Sequence, residues 1–200
     1  MPRTKKAREN WYWARILGMV EILGGGLPEP RFVDLASGTY VERDPGTSTD
    51  LPGERDIAGL GGREDVATVF ELRDGGELKL VILPVRGAGY QSTLMGYLAL
   101  KSDLNTVAAL VFYAHEETPG LGSRIEEGAW QALWPGKQVA DAEGVIRIEV
   151  VKGAGAGVHQ VDGISGATRT SAGVTNLMRF WLGPDGYGPY LKRLRTEVGQ

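Results

Sequence analysis

The stretch of this sequence richest in reactive groups is Val161-Asp162-Gly163-Ile164-Ser165-Gly166-Ala167-Thr168-Arg169-Thr170-Ser171. It leads into a segment in which Val174, Leu177, Met178 and Trp181 fall on one helical face, closed by Gly183-Pro184. A helix N-terminus leaves backbone N–H groups unpaired and carries a partial positive charge, so a phosphate held there is stabilised without a metal. Gly163 and Gly166 allow close backbone approach, Thr168, Thr170 and Ser171 add hydroxyls, and Arg169 adds a cation able to pair with phosphate. The same residues serve plain structure equally well: Thr170 or Ser171 caps the helix and the glycines turn the chain. Spacing alone leaves both readings open.

Other chemistry is sparse. The chain has no cysteine, which excludes structural disulfides, iron–sulfur clusters, thiolate metal sites and cysteine nucleophiles. His115 and His159 lie too far apart for an HExxH pair, so no metal site is expected. His115, at the end of an apolar run, and His159, in a glycine-rich approach, are read as structural histidines, and no catalytic residue is assigned. No dinucleotide fingerprint follows a strand, so direct use of NADH has no support. Lys and Arg number 22 against 25 Asp and Glu, for a net charge of −3, which offers nucleic acid no electrostatic footprint. Any redox chemistry needs an imported organic cofactor.

The elements that must position the glycine-containing loop fit one domain, since 200 residues bury a sizeable core. Thirty glycines, scattered rather than periodic, indicate many turns. Trp11, Ile16, Val20 and Leu23 recur at helical spacing, so a helix is expected over 8–23, ended by Gly24-Gly25-Gly26 and Pro28. Residues 31–34 and 39–41 form an expected hairpin around Ser37-Gly38, and 44–62 reads as a long surface loop. Segments 66–73 and 77–84, joined by Asp74-Gly75-Gly76, are the clearest strand pair. Further strands are expected at 97–100, 107–114 and 145–151, a short helix at 126–134, and a last helix at 187–197 with a basic face. The fold class is α+β, a twisted, mainly antiparallel sheet with packed helices.

Arg15 and Glu21 interrupt the apolar part of the N-terminal segment, and the longest uncharged apolar run, near 104–114, falls far short of the roughly 20 residues of a spanning helix. The chain as given is expected to be soluble. Trp11, Tyr12 and Trp13 suit either the neighbourhood of a membrane interface or an amphipathic helix.

Asp162-Gly163-Ile164-Ser165-Gly166-Ala167-Thr168 resembles the flavinylation motif of FMN-binding domains, an Asp followed by Ser/Thr-Gly-Ala-Thr. The likeness continues through Pro84-Val85-Arg86-Gly87, Ser92-Thr93, Gly96-Tyr97-Leu98-Ala99-Leu100, Asp103-Leu104-Asn105-Thr106-Val107 and His115-Glu116-Glu117-Thr118-Pro119-Gly120-Leu121-Gly122. It ends in Phe180-Trp181-Leu182-Gly183 and Gly186-Tyr187-Gly188-Pro189-Tyr190-Leu191. This ordered set is similar to the NqrC family, the C subunits of the sodium-translocating NADH:quinone oxidoreductases (Nqr), and less so to the related flavoprotein of Rnf complexes.

The resemblance implies that Thr168 carries FMN through a phosphoester, attached by a flavin transferase that uses FAD. It assigns Asp162, Ser165, Gly166, Ala167 and Thr170 to the motif around that threonine. It also places Glu117, Thr118, Gly120, Leu121 and Gly122 in a loop near the isoalloxazine, with Ser92 and Thr93 in a second nearby segment. Gln91 stands where the family usually has tryptophan, which puts an aromatic ring contact in doubt. Arg86 is a minor candidate for neutralising reduced flavin, its ordinary fate being a surface ion pair.

By the same resemblance, residues 1–30 are an N-terminal helix and linker following a missing membrane anchor, and 31–200 are the FMN-binding domain. The implied work is electron relay inside a complex in the bacterial inner membrane, with this domain on the periplasmic side and the other subunits as partners. Two rivals remain at this level. One is the Rnf flavoprotein, with flavin on the same threonine. The other is a non-catalytic extracytoplasmic binding module that stacks a polymer or partner on Trp11, Trp13, Trp130 and Trp134.

Overall fold

The computed structural model describes residues 27–199, so the helix expected over 8–23 lies outside the described residues. Among the described residues ten strands occur in the order β1 (Glu29–Asp34), β2 (Tyr40–Val41), β3 (Ser48–Asp50), β4 (Gly62–Glu64), β5 (Val66–Asp74), β6 (Glu77–Ala88), β7 (Thr93–Lys101), β8 (Val107–Ala114), β9 (Glu149–Val151) and β10 (Gln160–Asp162). A 3₁₀ turn spans Gly122–Glu126, and the α-helices are α1 (Gly128–Gln131), α2 (Thr168–Leu182) and α3 (Gly188–Val198). Six strands form an antiparallel sheet in the order β2-β1-β5-β6-β7-β8. The expected boundary between residues 30 and 31 falls inside β1.

Side chains alternate across this sheet with a period of two. Along β6, Val81, Leu83 and Val85 join the main core, where they meet Val174, Leu177 and Met178 of α2. Leu80 and Ile82 point the other way and pack with Phe70, Leu72, Tyr97, Ala99 and Ala108 on the opposite face. The Asp74-Gly75-Gly76 turn forms as expected, with Gly75 and Gly76 at φ +58° and +89°, values that favour glycine. Trp181 Nε1 and the Tyr187 hydroxyl donate to the carbonyls of Arg86 and Pro84, fixing α2 and the start of α3 to β6.

Three elements differ from the sequence reading. The stretch 44–62 is not loop throughout, because β3 pairs with β4 around a turn in which Asp56 accepts from the N–H groups of Leu60 and Gly61. The strand expected at 145–151 is reduced to β9, because Asp141 captures the N–H groups of Glu143 and Val145 and holds a turn there. β9 pairs in parallel with β10, a strand too short to show a period.

The rival binding module loses two of its aromatic residues. Trp130 and Trp134 are buried against each other in the core, and Trp130 Nε1 donates to the carbonyl of Asp162. No helix among the described residues is long and apolar enough to cross a membrane. No cluster of three or more His, Asp or Glu suited to a metal occurs among them either.

Candidate functional site

The glycine-containing loop closes where Gly166, at φ +78°, turns the chain into α2. The helix therefore begins at Thr168, three residues before Ser171, and neither expected capping hydroxyl caps it. The Thr170 hydroxyl donates to Glu117, and Ser171 Oγ accepts the N–H of Ile164 at 3.3 Å. Ala167 holds the cap position with no side-chain hydrogen bond, and the N–H of Ser171 is the first to turn back, to the Ala167 carbonyl. The N–H groups of Thr168, Arg169 and Thr170 are thus left at the open end of a 15-residue helix. The Thr168 side chain beside them is exposed, whereas that of Thr170 is buried.

Two cavities meet at Thr168. One, of about 410 Å³, is walled by Tyr90, Thr118, Leu121 and Gly122 on one side and by the 166–170 turn on the other. The second, of about 380 Å³, lies between the 150–153 segment and the 163–166 loop and shares Gly166 and Thr168 with the first. Tyr90 is 52% exposed and Leu121 is 41% exposed, so both present apolar surface beside the helix end. The Arg169 guanidinium lies over the Tyr90 ring, 5.3 Å from its centroid.

Glu117 ties the first cavity's walls together from behind. It is 4% exposed and accepts from the Thr170 hydroxyl and from the N–H groups of Tyr90, Gln91 and Ser92 at 2.9–3.2 Å. Burial pushes its carboxyl up, but the bonds from Thr170 and the backbone of the 90–92 loop outweigh burial and hold it below the usual range. Gly89 and Gly122 make room for it: a Cβ on Gly89 would fall 2.5 Å from Glu117 Oε1, and one on Gly122 would fall 2.8 Å from Oε2.

The structure therefore gathers Thr118, Leu121, Gly122, Gly166, Ala167, Thr168 and Thr170 around one cavity, with Ser165 on the neighbouring one. Glu117 lies behind the wall with its oxygens occupied. Ser92 and Thr93 do not line either cavity; Ser92 Oγ instead accepts the N–H of Glu116 at 2.6 Å. Asp162 accepts the N–H of Gly155 at 2.9 Å and holds the preceding loop, while Gly120, at φ +73°, makes the turn before Leu121. Arg86 pairs with Glu64 at 2.5 Å, away from these walls. Glu126 lies 3.4 Å from His115 Nε2, brought there by the turn at 122–126. Sequence reading missed Tyr90, whose only signal was an aromatic residue next to Gln91, and Lys152 at the second cavity.

Residues 89–183, which contain every wall of both cavities, match the model of the FMN-binding domain. The C subunit of the Na(+)-translocating NADH-quinone reductase of Pseudomonas aeruginosa is 46% identical over 183 residues, covering 82% of this chain and 70% of that one. The chain belongs to the NqrC family. The Yersinia pestis member is 42% identical over 182 residues, covering 84% of this chain and 68% of its relative. The crystal structure of Shewanella oneidensis NqrC superposes with a TM-score of 0.83 at 31% identity, covering 92% of this chain and 98% of that one. The crystal structure of the Parabacteroides distasonis member gives 0.64 at 32% identity, over 82% and 78%. The α+β fold with its antiparallel sheet is the family's fold.

Proposed function

We propose that this chain is the electron-relaying NqrC component of a sodium-translocating NADH:quinone oxidoreductase, with FMN joined to Thr168 through a phosphoester. The observation that carries this reading is the exposed Thr168 hydroxyl at an uncapped helix N-terminus, on the edge shared by two cavities. The site suits a phosphate ester. The free N–H groups of the first turn and the helix dipole stabilise the remaining negative charge, and no acidic side chain occupies that turn.

Bound FMN supplies one- and two-electron transfer at its isoalloxazine. This chain's own groups hold and shield the group. The Thr168 oxygen fixes its reach, and the Tyr90, Leu121 and Thr118 wall is large and apolar enough to take a flat ring. A covalent tether keeps the distance to neighbouring redox centres reproducible and prevents loss by dissociation. Partners are the other subunits of the membrane complex and a flavin transferase that uses FAD. The domain lies on the periplasmic side of the inner membrane. The relatives named above are NqrC proteins, which favours this reading over the Rnf flavoprotein.

The test is the intact mass of the protein after co-expression with a flavin transferase, followed by peptide mapping. One added FMN is expected on the peptide containing Thr168 and none in Thr168→Val. An unmodified wild-type chain, or a label that survives in the variant, overturns the assignment.

A further inference from the structure

We infer that Tyr90 is the aromatic platform on which the isoalloxazine of the Thr168-linked FMN lies, held in place by Glu117 and Arg169. The inference rests on the covalent reading above. Tyr90 lines the cavity that contains Thr168, yet 52% of it remains exposed, so a broad aromatic surface stands open beside the attachment point. Arg169 lies over the ring, 5.3 Å from its centroid, and adds a cation contact that steadies it. Flat aromatic groups gain most from offset stacking on such a face, and isoalloxazine is a flat, electron-poor ring system.

An exposed tyrosine in a loop is ordinarily a poor platform, because ordering it on binding costs entropy. Here the backbone is already held. Its own N–H and those of Gln91 and Ser92 donate to the buried Glu117, whose other bond comes from Thr170, two residues after Thr168. The Gly89 N–H donates to the Ser92 carbonyl at 2.8 Å and closes the loop on itself. Platform and attachment point are thus fixed to the same carboxylate, and their separation is set before any cofactor is present. Leu121, 41% exposed, lines the same cavity and adds apolar surface to it. The Gln91 side chain donates to the Thr118 hydroxyl at 3.2 Å.

The test uses the full chain with tyrosine rings isotopically labelled, with and without FMN on Thr168, and with loading verified by mass. Tyr90→Phe identifies the Tyr90 resonances. Ring-current shielding by the isoalloxazine is expected to move the Tyr90 ring protons upfield on loading. In loaded Tyr90→Leu, the visible circular dichroism of the flavin is expected to fall and its emission to rise severalfold as the aromatic contact is lost. Loaded protein whose Tyr90 resonances do not move overturns the platform while leaving the Thr168 linkage intact. Absence of the added mass overturns the linkage, and the platform with it.

Discussion

The Thr170 hydroxyl donates to the Glu117 carboxylate across 53 residues of sequence, and this contact joins the first turn of α2 to the segment that follows β8. The same carboxylate collects three consecutive backbone N–H groups from the loop between β6 and β7. Three pieces of chain that share no local sequence signal therefore meet at one buried charge, immediately behind the cavity that carries Thr168.

Replacing Glu117 by Gln leaves one acceptor oxygen but turns an amide NH₂ towards groups that are themselves donors. Hydrogen bonds to a charged group contribute about 1.5–3 kcal/mol, and buried donors left unpaired add to the loss. Glu117→Gln is expected to lower unfolding stability by about 2–3 kcal/mol. Amide hydrogen exchange at Tyr90, Gln91 and Ser92 should quicken. Stability and exchange both equal to wild type would show that this carboxylate does not hold the loop.

Acid should loosen the same cluster. Burial pushes Glu117 and Glu71 up, but their hydrogen bonds outweigh it and hold both below the usual glutamate value of 4.5. For Glu71 the donors are the Tyr40 and Tyr190 hydroxyls, at 2.5 and 2.7 Å, and Arg73 at 2.8 Å. A carboxyl depressed in the folded state contributes stability above its unfolded value, and that stability is lost as pH falls through the folded one. The urea midpoint is therefore expected to hold near neutrality and to fall below about pH 4.5, less steeply in Glu117→Gln. A wild-type midpoint that rises over that interval contradicts the assignment.

Gly173 lets α2 approach the end of β6. A Cβ there would stand 2.4 Å from the Ala88 carbonyl oxygen, too close to be absorbed without moving the helix. Gly173→Ala should cost about 1–3 kcal/mol despite alanine's better helix propensity. Thermal unfolding gives the sign directly, and a stabilised variant would mean that helix and strand are farther apart.

Thr168→Val separates structure from chemistry. The residue is exposed and makes no capping bond, so its loss should change unfolding stability by no more than about 0.5 kcal/mol. The FMN mass on its peptide should vanish altogether. A variant that unfolds well below wild type would point to a structural task for this threonine.

Much of the scaffold was legible in the residues. The turn at Gly75 and Gly76, the apolar run of β8 and the helical face of α2 all formed where expected, because each depends on neighbours only a few residues apart. The start of α2 at Thr168 was not legible in the same way. A run of hydroxyls reads locally as a cap, and nothing nearby in sequence says that Thr170 is claimed by a distant glutamate.

By itself, then, the sequence determined a sheet-and-helix protein without thiol chemistry, with a glycine-containing loop entering a helix and, through its resemblance to the flavinylation motif, Thr168 as candidate acceptor. Tertiary structure alone decided that Thr168 stays exposed while Thr170 is buried, that Tyr90 comes to stand beside it, and that Glu117 works from behind the wall. The physical reason is range. Period and turn chemistry act within a few residues, whereas these contacts arise only when antiparallel pairing of β6, β7 and β8 and the packing of α2 on β6 superimpose segments 25 to 53 residues apart.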